Sequence, residues 1–294
     1  MNIRDLKYLL AISETGSFSR AAERCHVSQP TLSGQVKKLE ERLGVSVFER
    51  TSKQVILTAV GEQIIVSARR IMAEVERIDA LADAAIDPLS GRFRLGAFPT
   101  LASYLFPDMV KPINTCMPEL KLILIEEKTR NLIEKLKTGE IDAALLALPI
   151  VDEQFNVQVL FDDYFRLAVS STHPLAKKTS IGQKSLLSKE LLLLEEGHCL
   201  RDQALEVCSL TGANEEQDFR ATSLETLRLM VKAGTGITLI PEIAIDLGTK
   251  KDQNGINYIP FKKPRPKRTI GLVWRKTLVK SAVIDELIKI LRPE

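Results

Sequence analysis

From Thr58 to about Asp87 the chain runs without a proline, and Ile64, Ala68, Ile71, Val75, Ile78, Ala82 and Ala85 recur in steps of four and three. That spacing holds an apolar seam on one side of a helix for about three heptads. An amphipathic helix packed on its own domain would show the same face. So long a helix between a short module and a longer one, with a period near 3.5, favours pairing with a second copy. It also partitions the 294-residue chain, whose length suits about two domains. The expected division is 1–58, the helix 59–88, and 89–294.

The 45% hydrophobic and 27% charged composition belongs to a globular chain, neither disordered nor membrane-embedded. No run is long and apolar enough to span a bilayer, and the start MNIRDLKYLL lacks the features of a signal peptide. The expected location is therefore the cytoplasm, without membrane contact. There Cys25, Cys116, Cys199 and Cys208 should be reduced unless one pair has a redox task. Residues 1–58 hold nine Lys/Arg against six Asp/Glu, while 59–88 hold three against six. A net +3 followed by a net −3 puts the basic charge in the first module, as phosphate contact would require.

Within that module Leu6, Leu9, Leu10 and Ile12 make one apolar face behind an Asn2 N-cap. Ser17 opens a second helix to Cys25, His26-Val27 turns the chain, and Ser28 caps a third helix that tolerates Pro30 in its first turn. Two helices joined by so short a turn make a helix-turn-helix. Leu32, Val36, Leu39 and Leu43 mark the expected buried face of the third helix, with Pro30, Gly34, Lys37 and Glu41 opposite. Gln29, Thr31, Ser33 and Gln35 suit base edges; Lys37, Lys38, Arg50 and Lys53 suit phosphates. An ordinary three-helix core with a polar face would share much of this pattern.

The segment RAAERCHVSQPTLSGQVKKLEERLGVSVFERTSKQVILTAVGE resembles the winged helix-turn-helix of the LysR-type regulators. The resemblance implies that the helix from Ser28 enters the major groove of double-stranded operator DNA, that Val45 to Leu57 form the wing, and that the long helix dimerises. Beyond Asp87-Pro88-Leu89-Ser90-Gly91, apolar runs at 93–98, 120–125, 143–148, 167–170, 191–194, 237–240 and 270–274 alternate with helical patterns. They predict an α/β domain with largely parallel strands. The layout resembles the LysR-type effector domain, two Rossmann-like lobes akin to periplasmic binding proteins. Lobe I would be about 89–162 and 269–294, and lobe II about 163–268. Thr100 and Thr129 each follow a strand end, where ligands of open α/β sheets sit, although plain helix caps occupy the same place.

The segment EEGHCLRDQALEVCSLTGA sets His198 and Arg201 beside Cys199, so a cation lies within reach of the sulfur to favour the thiolate that attacks peroxide. If Leu200 to Leu210 is helical, Cys208 lies too far along it for a disulfide without unwinding. Two buried, inert cysteines are the competing reading. GHCLRDQALEVC, FRATSLETLRLMVKAGTGITLIP and the start MNIRDLKYLLAI are similar to the peroxide-sensing members of the LysR-type family, over nearly the whole chain. That resemblance implies Cys199 as the peroxidatic thiol and Cys208 as the resolving one. It implies that Thr100, Thr129 and His198 hold or polarise peroxide, and that Asp202 and Arg268 support proton transfer or hold the segment. It further implies a non-enzymatic regulator, mainly an activator of antioxidant genes, without metal or cofactor. Its partners would be RNA polymerase, glutaredoxin- or glutathione-type reductants, and a second copy in a homodimer or homotetramer. A LysR-type regulator with an organic effector in the cleft is the alternative, and a thiol peroxidase a more distant one.

Overall fold

The computed structural model describes residues 1–50, 55–186, 190–197, 199–211, 214–245 and 255–292. They fall into two compact units, 1–86 with 138–140, and 87–137 with 141–294.

In the first unit α1 (Ile3–Thr15) begins in a capping box: Asn2 accepts from the Asp5 N–H while Asp5 accepts from the Asn2 N–H. α2 (Phe18–Arg24) and α3 (Gln29–Leu43) follow, capped by Ser17 and Ser28. The turn between them needs a left-handed residue, and His26 takes that conformation at φ 53°. Leu9, Ile12, Ala21, Leu32, Val36 and Leu39 share one core. Leu43, expected in that core, is 40% exposed instead, because the helix stops at the Gly44 cap beyond the reach of α1 and α2.

A hairpin of β1 (Phe48–Arg50) and β2 (Val55–Leu57) comes next, antiparallel with Phe48 opposite Leu57. Two side chains tie it down. The Glu40 carboxylate on α3 accepts from the Val47 N–H at 2.7 Å and the Phe48 N–H at 3.2 Å. The Thr58 hydroxyl donates to the Ser46 carbonyl and accepts from the Gly61 N–H, both at 2.8 Å. Gly61 has no substitute here, since a Cβ would lie 2.1 Å from the Val47 carbonyl oxygen. From this anchor runs α4 (Ala59–Ile86), 28 residues long. Along its seam Ala68 is buried, Ile64 and Val75 are half-buried, and Ile71, Ile78, Ala82 and Ala85 are exposed.

The second unit opens with β3 (Gly91–Ala97), α5 (Pro99–Cys116), β4 (Leu120–Glu126), α6 (Thr129–Thr138) and β5 (Ala143–Leu148). β6 (Phe155–Ser170) is the longest strand. After it come β7 (Glu190–Leu194), α7 (Cys199–Thr211), β8 (Asn214–Ala221), α8 (Leu224–Lys232), β9 (Thr238–Pro241), β10 (Ile256–Pro260), β11 (Lys267–Arg275) and α9 (Ser281–Leu291). The main sheet has the order β10-β6-β11-β5-β3-β4, with β9 also on β6. The strands are less parallel than their apolar runs predict. β3 pairs parallel with β4 and β5, and β7 with β8, but β11 is antiparallel to both β5 and β6, and β10 and β9 are antiparallel to β6. A returning C-terminal strand enters the sheet from the opposite direction, and apolar content carries no sign of that.

Two cores organise the unit. One includes Phe93, Leu95, Leu145, Ile270, Leu272 and Leu287; the other includes Phe165, Leu167, Leu192, Leu200, Leu227 and Ile240. β6 belongs to both. Its residues 155–164 pair with β11, and its residues 165–170 pair with β9 and β10.

Candidate functional site

Where β6 passes from one core to the other, it carries Asp163, directly opposite Arg268 on β11. Both side chains are removed from solvent, at 2% and 0% exposure. Charges so placed must be paired, and Arg268 is paired on every side. Its Nε donates to Asp163 Oδ2 at 2.9 Å, its Nη1 to Thr100 Oγ1 at 2.9 Å, and its Nη2 to the Thr100 carbonyl at 3.0 Å. The guanidinium also stands 5.1 Å from the centre of the Phe98 ring. Asp163 accepts a further bond from the Ile243 N–H at 3.1 Å. Burial pushes the Asp163 carboxyl up, and Arg268 pulls it back. Thr100 reaches this point because Pro99 starts α5 right after β3, which sets Thr100 in the first helical turn.

Cys199 is the first residue of α7 and packs against the core of the first lobe, while Leu200, Ala204 and Val207 of the same helix enter the core of the second. Thr129 opens α6 and approaches the thiol from the first lobe. Its hydroxyl lies near enough to favour the thiolate, yet the contact is loose, for Thr129 Oγ1 is buried without a hydrogen-bond partner of regular geometry. Lys128, the preceding residue, spans to the loop before the cysteine, with Nζ 2.7 Å from Glu195 Oε1 and donating to the Glu196 carbonyl at 3.1 Å. Gly197 takes φ 88° beneath it, where a Cβ would meet the lysine chain at 3.2 Å.

The structure thus brings Cys199, Thr129, Thr100 and Arg268 to the seam between the two cores. Among the described residues the main cation acting on the sulfur is Arg268, from β11, and not the neighbouring Arg201, which is buried and donates to the Leu194 carbonyl at 3.2 Å. Burial works against the thiolate that a nearby cation favours. Burial pushes the Cys199 thiol up, and Arg268, Thr129 and the Leu200 N–H offset this only in part, while Asp202 adds to it. Asp202 is exposed in the first turn of α7. His198 and Lys53 lie outside the described residues, as do the side chains of Cys208 and Arg50; Cys208 itself is placed within α7. Sequence reasoning missed Asp163 and Lys128. For Asp163 a signal existed, an acid inside the apolar run LFDDYFRLAV; Lys128 had none.

A pH dependence follows from the raised thiol. Iodoacetamide labelling of Cys199, read by mass spectrometry, should be slow near neutrality and still be climbing at about pH 10, where an ordinary thiol has levelled off. The proton held by the fold also stabilises it. That contribution is complete below the unfolded thiol's pKa and is lost as pH rises through the higher folded value. Labelling that saturates by about pH 8 would contradict the buried, protonated thiol.

On α3 the side chains of Ser28, Gln29, Pro30, Thr31, Gln35, Lys37 and Lys38 are exposed, Ser33 is half-buried, and nothing lies within 4 Å of a Cβ built on Gly34. Ser28 Oγ caps the helix by accepting from the Thr31 N–H at 3.3 Å. Lys37 meets Glu41 at 3.8 Å with both side chains mostly in water, a pairing too weak to withhold the lysine from another anion.

Residues 3–62 match the bacterial regulatory helix-turn-helix protein, lysR family, and residues 87–294 match the LysR substrate binding domain. The chain belongs to the LysR family. Among LysR-family relatives, the DNA-binding transcriptional dual regulator OxyR of Escherichia coli K12 is 46% identical over 275 residues, 94% of this chain and 90% of the relative. Full-length OxyR of Pseudomonas aeruginosa, with a cysteine changed to aspartate, superposes with a TM-score of 0.79 at 38% identity, covering 99% of this chain and 94% of that one. A hydrogen-peroxide-bound cysteine mutant of Corynebacterium glutamicum OxyR gives 0.67 at 31% identity, covering 99% and 91%. The reduced and oxidised forms of OxyR give 0.64 and 0.63 at 39% and 40% identity, each covering 70% of this chain and 96% of the other. Among the described residues, no helix is long and apolar enough to cross a membrane.

Proposed function

We propose that this LysR-family chain is a peroxide-sensing, DNA-binding transcription regulator, mainly an activator of antioxidant genes, switched by a reversible disulfide between Cys199 and Cys208. The observation that carries the reading is the setting of Cys199: a thiol against a buried threonine hydroxyl that makes no regular hydrogen bond, beside the buried Arg268. A partly buried site of this kind admits a small uncharged oxidant. Peroxide would complete the bonding of Thr129. The Cys199 sulfur attacks one peroxide oxygen, the O–O bond breaks, and water leaves with the thiol proton, giving the sulfenic acid. The Cys208 thiol then attacks the Cys199 sulfur, the S–O bond breaks, and the second oxygen leaves as water carrying the Cys208 proton. Cellular thiols of the glutaredoxin or glutathione type return both cysteines to thiols by exchange.

The two cysteines lie nine residues apart in α7. Helical rise makes that about 13.5 Å along the axis, whereas a disulfide needs Cα atoms within roughly 7 Å. Closing the bond therefore requires α7 to unwind, and chemistry becomes a change of shape. Residues 1–58 serve as the reader, 59–88 as the dimerisation helix and 89–294 as the sensor. Lobe II is about 163–268. The exposed Ile71, Ile78 and Leu81 of α4 support pairing with a second copy. The homodimer, or a tetramer built from it, reads the operator with Ser28, Gln29, Pro30, Thr31, Ser33, Gln35, Lys37, Arg50 and Lys53, and engages RNA polymerase in the cytoplasm. His198 and Asp202 assist at the thiol.

The test is free-thiol mapping before and after one equivalent of hydrogen peroxide, with operator footprinting on the same samples. Rapid linkage of Cys199 to Cys208 with a changed footprint is the expected result. Unreactive thiols and a constant footprint would leave a LysR-family regulator governed by an organic effector.

A further inference from the structure

The second lobe carries a concentration of positive charge that the redox chemistry does not use. Residues 174–186 and 260–268 together hold eight Lys and Arg, all but Arg268 outside the thiol site, and no Asp or Glu, in a chain whose net charge is only +3. The two segments are stitched side by side. The Ile181 N–H donates to the Pro260 carbonyl at 3.0 Å, the Lys262 N–H to the Ile181 carbonyl at 2.8 Å, and the Gln183 amide to the Pro264 carbonyl at 2.8 Å. Arg268 is buried, and Lys267 and Arg265 face Asp162 and Glu242. Lys177, Lys178, Lys184, Lys262 and Lys263 are exposed, and none forms an ion pair with a described residue.

The kind of partner follows from what the strip lacks. Protein interfaces draw their energy from buried aromatic and aliphatic anchors, and no large exposed hydrophobic side chain lies in either segment. A surface of unpaired lysines without anchors is matched to a dense, regular polyanion, and duplex DNA offers one phosphate per about 1.7 Å of axis. The strip is also attached to the switch. The turn Gln183–Leu186 packs on α7, with Leu186 in the same core as Leu200 and Ala204.

Resting on the DNA-regulator reading above, we propose that this strip is a second DNA-contact surface, which takes backbone phosphates of duplex outside the stretch read by α3. Unwinding of α7 shifts the turn that carries Lys184, so the strip grips DNA differently in the reduced and oxidised protein.

The experiment compares the full-length wild type with a variant carrying Lys→Gln at positions 177, 178, 184, 262 and 263. Affinity for a minimal operator duplex, an operator with long flanks and a long random duplex is measured against KCl concentration, before and after peroxide. Each phosphate contact contributes about 0.9 to the slope of log affinity on log salt. The variant should lose about 2–4 from that slope and about 10–100-fold in affinity on the long duplexes, with the minimal operator unaffected. The loss should differ in size between the two redox states. Equal affinities and slopes for variant and wild type on every duplex overturn the proposal. So does intact DNA binding with lost transcription, which would assign the strip to a protein partner. An equal loss in both redox states overturns its link to α7. Thermal melting and peroxide-driven disulfide formation establish that the variant is folded. A wild type that ignores operator sequence and peroxide would instead overturn the parent reading, while the random duplex still decides on the strip.

Discussion

Replacing Arg268 with methionine should lower the stability of the regulatory unit by about 3–5 kcal/mol, the usual effect of stranding one partner of a buried ion pair. Asp163, 2% exposed, would keep only the Ile243 N–H, and both the hydroxyl and the carbonyl of Thr100 would lose their donor. In a unit of this size such a loss corresponds to a fall in Tm of about 6–20 °C. The double variant Asp163→Leu with Arg268→Met removes both charges together and should regain most of the lost stability, since well-packed apolar replacements of buried pairs are often neutral. Recovery would not extend to the chemistry. Arg268 is the main cation holding down the Cys199 thiol, so the double variant should react with peroxide more slowly while melting near the wild-type temperature. Melting curves and stopped-flow peroxide kinetics on the three proteins separate these effects. A single variant that melts within about 2 °C of wild type would remove the pair from the list of structural supports.

Replacing Cys208 with serine should abolish the peroxide response outright. The reaction then stops at the Cys199 sulfenic acid, trapped by dimedone and read as a mass adduct, because α7 then carries no second thiol to take the sulfur. With α7 still wound, the footprint should stay that of the reduced protein at every peroxide concentration. Helix geometry gives this outcome its force. To bring residues 199 and 208 together, the first turns of α7 must leave their places, which exposes Leu200 and Ala204 and breaks the Arg201 bond to the Leu194 carbonyl. Burial of one leucine is worth about 1.5–3 kcal/mol, so oxidation without disulfide closure has nothing to drive that exposure. A full change in footprint from the serine variant would show that the sulfenic acid alone throws the switch.

The reader module was legible almost residue by residue, because helix caps, a tight turn and a 3.6-residue period are local signals. Asn2, Ser17 and Ser28 cap the three helices at the positions their side chains announce. Leu43 misled, since periodicity records which face a residue shares and not where the neighbouring helices end. In the second unit the apolar runs located strands but not their directions, so the antiparallel entry of β11 was hidden. The charge environment of Cys199 was hidden for the same reason. Arg201 is two residues from the cysteine in sequence, while Arg268, which acts on it, arrives from a strand that contact order places far away. Thr100 and Thr129 stood out through one shared relation, each just past a strand end, and that relation is topological and readable.

β6 also bears on what kind of machine the sensor is. Two-lobed proteins that shut on a ligand like jaws pivot on slack connecting chain. Here residues 155–170 pass from one lobe to the other as one strand, bonded to β11 over 155–164 and to β9 and β10 over 165–170, so the lobes are joined by ordered, hydrogen-bonded backbone. The frame is a stiff spine, and a small trigger beside it has nothing to squeeze. What remains free to change is α7, whose first residue packs on one core while its later residues enter the other. Such a device has two settings and little between them, which suits a regulator that must stay silent through the background of oxidants and then commit.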